Sequence, residues 1–378
     1  MLGRSLAVTF INAVKAIRAE RSFFISESFA GDKGLRFQVQ DGIGGARIRM
    51  SHRLCLRLTI QGPASTTMRM KSVRLVAIVL ACVFTVNASA ARKKKASGPL
   101  RMEGARVEIY KTIGDVNLEM HIFEPGAPQK GEKRPAIVFF FGGGWRGGTP
   151  RQFEQQCRYL ATRGMVAMTA EYRVLSKHGT KAVTCVRDGK SAIRWVRANA
   201  KRLGVDPKRI AAGGGSAGGH VAGCTGSIKG FEDEKKPSSL PNAMVLFNPA
   251  MVLAKVKGEN LPFDEDKMRD FPKRMGVDPV KLSPFHNVTK GAPPTLTHHG
   301  KGDTVVLYRT AELFHEKMLS LGNRSELAGY EDQPHGFFNF GRNENAMFAA
   351  TMKRTDKFLQ SLGYLSGPDA VDEFLTSK

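Results

Sequence analysis

The chain has 378 residues, of which 42% are apolar and 24% charged, a composition typical of globular proteins rather than of wholly disordered chains. Its 40 glycines follow no three-residue period, which excludes collagen, and its five cysteines are too few for a disulfide-rich scaffold. The formal net charge is +24. Residues 1–100 contain 17 Lys and Arg but only 4 Asp and Glu, so more than half of the positive excess lies in this first quarter.

Residues 68–90 have the pattern of a secretory signal peptide. Basic residues around Lys71 precede an almost wholly apolar run over residues 75–86, and small residues that suit cleavage after Ala90 follow. The run is shorter than the roughly 20 residues of a membrane-spanning helix. We therefore expect a secreted or periplasmic protein with no stable membrane span in its mature chain. A lipoprotein signal ending at Cys82 is a weaker alternative, because it would cut the apolar run short.

Residues 1–67 are basic and show neither clean periodicity nor a motif. Because a signal peptide belongs at an N-terminus, we interpret this stretch as an artefact of start-site assignment or a disordered extension, with translation beginning at Met68 or Met70. The alternatives are a basic presequence or an arm that binds nucleic acid phosphates. Nucleic acid is not an expected partner, since part of the charge excess leaves with the first ninety residues, which contain 13 Lys and Arg against 4 Asp and Glu. Residues 91–104 are predicted to be a solvated linker.

The rest of the chain is long enough for one well-buried domain, predicted over residues 105–365, with a tail over 366–378. Strand-like and helix-like patterns alternate along it, which predicts an eight-stranded, doubly wound, mostly parallel α/β sheet with helices on both faces. The predicted strands are 107–111, 116–123, 136–141, 165–170, 210–213, 243–247, 294–298 and 325–330, and the main predicted helices are 152–163, 182–200, 307–321 and 345–362.

Two features are candidates for the walls of a substrate pocket. Residues 249–292 form the longest irregular connection, which suits a lid or a pocket wall. Trp145 follows a glycine run at the end of a predicted strand. Either feature could equally pack into the core.

Three cysteines follow the signal peptide, and they allow at most one internal disulfide. Cys157 with Cys185 is the favoured pair, because Cys224 follows a glycine-rich turn into a helix; spatial distance decides the pairing. The region contains no Cys/His metal spacing, phosphate loop or complete dinucleotide fingerprint. We therefore expect no metal or other cofactor.

The strongest motif is G-G-S-A-G at residues 214–218, between a predicted strand and a predicted helix. A G-x-S-x-G sequence in this context is typical of a nucleophile elbow, whose turn is so tight that side chains at Gly214 and Gly218 would clash. Ser216 stands at its tip as the candidate nucleophile. A serine hydroxyl needs a base to activate it, and the base needs an acid to orient it.

His335 is the predicted base, because it lies in the loop between the last strand and the last predicted long helix. Asp303 is the predicted acid: it follows the strand 294–298, and glycines on both sides of Lys301 form a turn that can project its carboxylate. Asp332 is the competing acid. The remaining histidines lie in the N-terminal segment, in strands or helices, or before the acid, and they are His52, His121, His178, His220, His286, His298, His299 and His315.

The reaction of such a serine develops a negative oxygen, which requires backbone donors aimed at it in advance. The sequence F-G-G-G-W at residues 141–145 ends the third predicted strand, where a glycine loop can turn its N–H groups inward. We predict an oxyanion hole formed by the N–H groups of Gly143, Gly144 and Ala217.

These motifs resemble the α/β-hydrolase superfamily over residues 104–365. Within it the chain is similar to the esterase/lipase group, which includes acetyl-esterase, feruloyl-esterase-like and hormone-sensitive-lipase-like enzymes. The resemblance also includes E-Y-R-V at 171–174 and D-G-K-S-A-I-R-W at 188–195. Phe141 stands where the family usually has histidine, and Gly215 stands where the lipase type often has aspartate. The short stretch before the first strand leaves no room for an N-terminal helical cap, so no large cap domain is expected.

The resemblance implies a serine carboxylic-ester hydrolase that acts on small-molecule or polysaccharide-linked esters. Two alternatives remain open from the residues alone. One is a serine peptidase of the dipeptidyl-peptidase type, although no propeller sequence accompanies the domain. The other is a non-catalytic binding module on the same fold, which the filled positions of Ser216, Asp303 and His335 disfavour.

Overall fold

A computed structural model describes residues 100–126, 131–261 and 265–377 (without the side chains of 265–269), together with three N-terminal strands. The chain divides into two compact units, Met1–Pro99 and Leu100–Lys378. In the first unit, strands Phe23–Ser28, Arg36–Asp41 and Arg47–Met50 form a small antiparallel sheet. The sequence predicts no fold in that stretch, so the structure differs there. The signal peptide 68–90 lies outside the described residues and stays a prediction.

The second unit is built on an eight-stranded sheet with the strand order β8-β7-β6-β5-β3-β4-β2-β1. Only the pairs β1–β2 and β2–β4 are antiparallel, and the other five pairs are parallel. The predicted eight-stranded, mostly parallel sheet is therefore confirmed. The strands are β1 Ala105–Ile113, β2 Val116–Phe123, β3 Arg134–Phe140, β4 Val166–Ala170, β5 Val205–Gly215, β6 Ala243–Phe247, β7 Thr295–Gly300 and β8 Ser325–Tyr330.

Helices cover both faces of this sheet. They are α1 Glu154–Thr162, α2 Leu175–His178, α3 Ala182–Ala198, α4 Ala217–Ser227, α5 Glu265–Met275, α6 Pro279–Leu282, α7 Pro284–Asn287, α8 Tyr308–Ser320, α9 Ala346–Ser361 and α10 Val371–Thr376. Within the described ranges, no helix is both long and apolar enough to cross a membrane.

The central strands are buried on both faces, which explains their unbroken apolar sequences. In β3, Val138 and Phe140 belong to one apolar cluster, whereas Ile137 and Phe139 belong to the cluster on the opposite face. Alternate side chains of a strand point to opposite faces. Each face of β3 must therefore be covered by helices, and the doubly wound layout follows.

The predicted disulfide between Cys157 and Cys185 is wrong. All three cysteines of the domain are free and buried. Cys157 packs in the cluster on one face of the sheet, and Cys185 and Cys224 pack in the cluster on the other. Because the sheet separates the two clusters, the thiols of the favoured pair cannot approach to bonding distance.

The domain is longer at both ends than the predicted range 105–365. Met102 packs into the core before β1, and α10 packs Val371 and Phe374 onto the core within the predicted tail. The connection 249–292 is not wholly irregular, because it carries the short helices α5, α6 and α7.

Candidate active site

Ser216 lies at the tip of a sharp turn between β5 and α4, with backbone angles φ 55° and ψ −120°. This conformation is unfavourable for a residue with a side chain, and tight packing holds it in place. A Cβ on Gly214 would lie 2.5 Å from the carbonyl oxygen of Gly218, and one on Gly218 would overlap the carbonyl oxygen of Phe140. The Ser216 N–H donates to the Phe247 carbonyl at 2.8 Å. The steric reason predicted for the two flanking glycines is thus confirmed.

The structure brings the predicted acid and base into contact. Asp303 follows β7 and His335 follows β8, two neighbouring strands whose carboxyl ends lie at the same edge of the sheet. His335 Nδ1 lies 2.7 Å from Asp303 Oδ2, and the Asp303 side chain has no solvent exposure. Because an ionised carboxylate only accepts hydrogen bonds, Nδ1 carries the proton of the neutral imidazole. Nε2 is then the basic nitrogen.

The hydroxyl of Ser216 and the Nε2 atom of His335 are not hydrogen-bonded to each other. Neither atom makes a hydrogen bond with any other described residue. Ser216 follows β5, which is separated from β7 only by β6. Catalytic hydrogen bonds of this kind are often long without substrate and tighten when it binds. No described residue holds either group, so both are available for the predicted proton transfer.

The Asp303 carboxylate is surrounded by donors. Its Oδ1 accepts the backbone N–H groups of residues 305–306 at 2.8 and 2.9 Å, and its Oδ2 accepts Asn248 Nδ2 at 2.5 Å. His299 Nε2 lies 3.3 Å from the same Oδ2. Burial raises the pKa of Asp303, but the hydrogen bonds from His299, His335 and Asn248 outweigh it and hold the pKa well below its ordinary value. The carboxylate is therefore ionised at neutral pH.

Asn248 is a site residue that the sequence analysis missed. It follows β6 directly, is fully buried, and has a positive φ of 43°. A signal existed in the sequence, since an amide directly after a buried strand lies at the same edge as Ser216 and Asp303. Asp332, the competing acid, is exposed on the loop before His335.

The glycine loop after β3 lies beside Ser216. A Cβ on Gly142 would be 3.3 Å from the Ser216 Cβ. Gly143 and Gly144 have φ angles of 122° and 62°, and their N–H groups donate to no acceptor among the described residues. Ala217 is the first residue of α4, a position whose N–H has no partner within a helix. These three groups are thus free to donate to a substrate oxygen.

A glutamine fixes this loop through hydrogen bonds. The Gly142 N–H donates to Gln152 Oε1 at 2.6 Å. Gln152 Nε2 donates to Asn339 Oδ1 at 3.0 Å, and Asn339 Nδ2 donates to the Gly336 carbonyl at 2.7 Å. Since Gly336 follows His335, this chain of hydrogen bonds joins the glycine loop to the loop that carries the predicted base.

The motifs E-Y-R-V at 171–174 and D-G-K at 188–190 also hold the glycine loop in place. Tyr172 donates its hydroxyl to the Phe141 carbonyl at 2.5 Å, and the two rings stack with centroids 4.2 Å apart. The next residue, Arg173, is held by Asp188, which is fully buried and accepts both the Arg173 N–H and its guanidinium at 2.8 to 3.0 Å. Stacking on Tyr172 therefore gives a structural reason for an aromatic side chain at Phe141.

Trp145 is buried, with only 6% of its surface exposed, so its indole packs instead of standing in open solvent. Its Nε1–H donates to His220 Nδ1 at 3.1 Å, and His220 Nε2 donates to the Leu282 carbonyl at 2.7 Å. Burial lowers the pKa of His220 to about 4, so the ring is neutral and can accept from the indole. His220 thereby ties the glycine loop to α6 in the connection 249–292.

The comparison with protein families decides the relationship. The family model described as BD-FAE matches residues 120–318, which is more than half of the chain. The chain belongs to the BD-FAE family. This family lies within the esterase/lipase group of the α/β-hydrolase fold, so the resemblance stated from the motifs is confirmed.

Solved esterase structures are similar to this chain over its whole domain. Esterase 2 of Thermogutta terrifontis, phosphonylated by sarin, is 44% identical with a TM-score of 0.69, and the match covers 72% of this chain and 99% of that one. Its butyrate-bound structure is 45% identical with a TM-score of 0.67, covering 71% and 98%. This BD-FAE member therefore has the complete fold of that esterase.

Curated relatives are also carboxylic-ester hydrolases. The esterase LipC of Mycobacterium tuberculosis is 31% identical over 219 residues, which is 54% of this chain and 53% of LipC. The chain thus spans about half the length of this curated relative.

Proposed function

We propose that the chain hydrolyses carboxylic esters through a Ser216–His335–Asp303 triad and a covalent acyl-enzyme. The observation that carries this proposal is the 2.7 Å contact between His335 Nδ1 and the buried Asp303 carboxylate, at the sheet edge where the strained Ser216 turn also lies. The membership of the BD-FAE family and the esterases among its relatives support the reaction class.

In the first half of the proposed reaction, Ser216 Oγ attacks the ester carbonyl while His335 Nε2 takes the hydroxyl proton. The imidazole becomes positively charged, and Asp303 stabilises it because its low pKa keeps the carboxylate ionised. The carbonyl oxygen becomes an oxyanion, which accepts from the N–H groups of Gly143, Gly144 and Ala217. His335 then protonates the alcohol, which leaves.

In the second half, His335 removes a proton from water, and the water oxygen attacks the acyl carbonyl, whose oxygen again accepts from the oxyanion-hole N–H groups. The bond between the acyl carbon and Ser216 Oγ then breaks, His335 returns the proton to Oγ, and the carboxylic acid leaves. The Gly143 carbonyl accepts the N–H groups of Arg146 and Gly147, at 3.0 and 3.2 Å. These bonds polarise the peptide whose N–H belongs to Gly144, which strengthens that N–H as a donor.

We further propose short acyl chains, on small-molecule or polysaccharide-linked alcohols, as the substrates. Butyrate and propionate are bound in structures of the Thermogutta esterase, which supports short acyl groups here.

The nucleophile is tested by covalent trapping. Incubation with a fluorophosphonate is expected to add one phosphonyl group, which peptide mass spectrometry locates on Ser216. Ser216→Ala is expected to form no adduct and to lose at least about 10⁴-fold in kcat on p-nitrophenyl acetate, since the triad acts as a unit. A matched control is Ser227→Ala, which replaces a buried serine at the end of α4 and should still be labelled. Labelling elsewhere, or full activity without Ser216, would refute the proposal.

Substrates with different leaving groups distinguish an esterase from a peptidase. We expect turnover of p-nitrophenyl acetate and butyrate, little turnover of the laurate ester, and none of aminoacyl p-nitroanilides. Efficient cleavage of the anilides would favour the dipeptidyl-peptidase alternative. A folded protein with no turnover and no adduct would favour a binding module.

A further inference from the structure

Two arginines place positive charge beside the glycine loop. Arg274, on α5, donates Nη2 to the Gly144 carbonyl at 2.5 Å, and its guanidinium lies over the Trp145 ring at 5.0 Å. Arg146 follows Trp145 directly and is exposed. Gly144 is a proposed oxyanion donor, and consecutive Cα atoms are about 3.8 Å apart. Arg274 therefore contacts the loop of the proposed oxyanion hole directly, and Arg146 lies two residues after Gly144 in the chain.

Neither cation is neutralised within the part of the chain that the structure describes. No described carboxylate forms an ion pair with Arg146 or Arg274, and the buried Nε of Arg274 has no described acceptor. Burial, and next the charge of Arg146, lower the pKa of Arg274. A half-buried cation beside another cation is unfavourable unless an anion compensates it. An anionic group of a bound molecule would relieve this unfavourable placement.

A third arginine lies at the loop of the predicted base. Arg342 Nη1 is 3.8 Å from the position of a Cβ on Gly336, the residue after His335, and Arg342 forms no ion pair with a described residue. Among the acidic residues of this loop, Glu331 already pairs with Lys301, and the side chain of Asp332 is exposed. Positive charge thus stands on both loops that meet at Ser216.

We propose that the preferred esters carry a carboxylate close to the ester group, and that Arg274 and Arg146 bind this carboxylate. The inference rests on the proposed function, since it assigns the substrate class of the same site. Guanidinium groups suit this task because their planar N–H groups match a carboxylate, and Nη1 of Arg274 donates to no described residue.

Two pairs of matched esters test the charge and its position. Monoethyl succinate and ethyl succinamate differ only in charge on the acyl side. The acetate ester of γ-hydroxybutyrate and that of its primary amide differ only in charge on the alcohol side. We expect one anionic ester to exceed its amide by about tenfold in kcat/KM at low salt, with the preference falling as salt screens the charges. Equal kcat/KM values within both pairs would overturn the proposal.

Arginine variants assign the preference to its residues. Arg274→Gln and Arg146→Gln are each expected to reduce the ratio of anionic to neutral kcat/KM severalfold. Arg146 is exposed and not packed, so its variant remains informative if Arg274→Gln disturbs the glycine loop. Arg202→Gln is the control, because it removes the same charge near the start of β5, at the opposite edge of the sheet, and should leave the ratio unchanged.

An equal loss on charged and neutral esters in both variants would overturn the proposal, since it would assign the arginines to general support of the loop. The proposed function is judged separately. If the ester bonds of the two neutral, amide-bearing compounds are hydrolysed in a Ser216-dependent way, the proposed function stands even if the charge preference fails.

Discussion

At the scale of single residues, the site depends on how one carboxylate is surrounded. Asp303 has no side-chain exposure, and burial alone would favour its protonated form. Hydrogen bonds from three side chains reverse this effect. Because the folded pKa lies below the unfolded value of about 3.9, Asp303 stabilises the fold at neutral pH, and this stabilisation is lost as the pH falls below about 4.

Asn248 is expected to support the orientation and ionisation of Asp303. Asn248→Leu removes the donor at 2.5 Å with little change in volume, and should lower kcat about tenfold with a smaller effect on KM. Asn248→Asp places a second carboxylate against the first. Two such groups cannot both ionise, so the acidic limb of the kcat/KM profile should move to higher pH.

These two variants are compared by pH profiles and thermal unfolding. The contrast between them is the decisive point, because a purely structural asparagine would give similar pH profiles for Leu and Asp. Asn287→Leu, on α7 and outside the site, serves as the control for loss of an asparagine amide.

At the scale of elements, the functional loops are fixed to each other and not only to the sheet. The glycine loop after β3 and the loop after β8 are joined through Gln152 and Asn339. The bond to Gly142 orients the glycine loop, and the bond to Asn339 sets its distance from the His335 loop. A proposed oxyanion hole and a proposed base are thereby held in one frame.

Gln152 variants separate the two bonds. Gln152→Glu can still accept the Gly142 N–H but cannot donate to Asn339 Oδ1, whereas Gln152→Met loses both bonds. We expect kcat to fall about threefold for Glu and about tenfold or more for Met, with KM changing less, because the loss falls on the transition state. Steady-state kinetics on p-nitrophenyl acetate provide the measurement.

Gln360→Met is the matched control, since this glutamine bonds Asp356 on α9, away from the glycine loop. A change confined to KM, or an equal effect of the control, would contradict a positioning role for Gln152.

At the scale of the whole molecule, one domain from Leu100 to Lys378 carries the sheet and both apolar clusters. The helix α10 contributes to this core through Phe374, which packs against Phe348 and Tyr159 at centroid distances of 6.3 and 5.6 Å. The domain therefore uses the segment that the sequence analysis took for a tail.

Export is a prediction about the whole chain. We propose that the protein is secreted or periplasmic and that its mature form begins at Ala91. Expression from Met1 and from Met70 in a bacterial host should give the same exported N-terminus by Edman sequencing. Ala88→Glu, which spoils the small-residue cleavage pattern, should prevent processing in both. A mature start before Met68 would contradict the start-site hypothesis, and retention of both forms in the cytoplasm would contradict export.

The sequence by itself determined the order of strands and helices, the Ser216 turn and the position of His335 after the last strand. Such features depend on local rules, namely side-chain periodicity and the steric limits of a glycine turn. β6 and β8, for example, match their predicted ranges of 243–247 and 325–330.

Only the tertiary structure decided which residues that are distant in the chain come into contact. The cysteine pairing failed because the sheet lies between Cys157 and Cys185. The contacts of Asp303 with Asn248, of Gln152 with Asn339 and of Arg274 with Gly144 join residues far apart in the chain. The geometry of these contacts depends on how neighbouring strands and loops pack. No local pattern in the sequence encodes the distances between the contacting atoms.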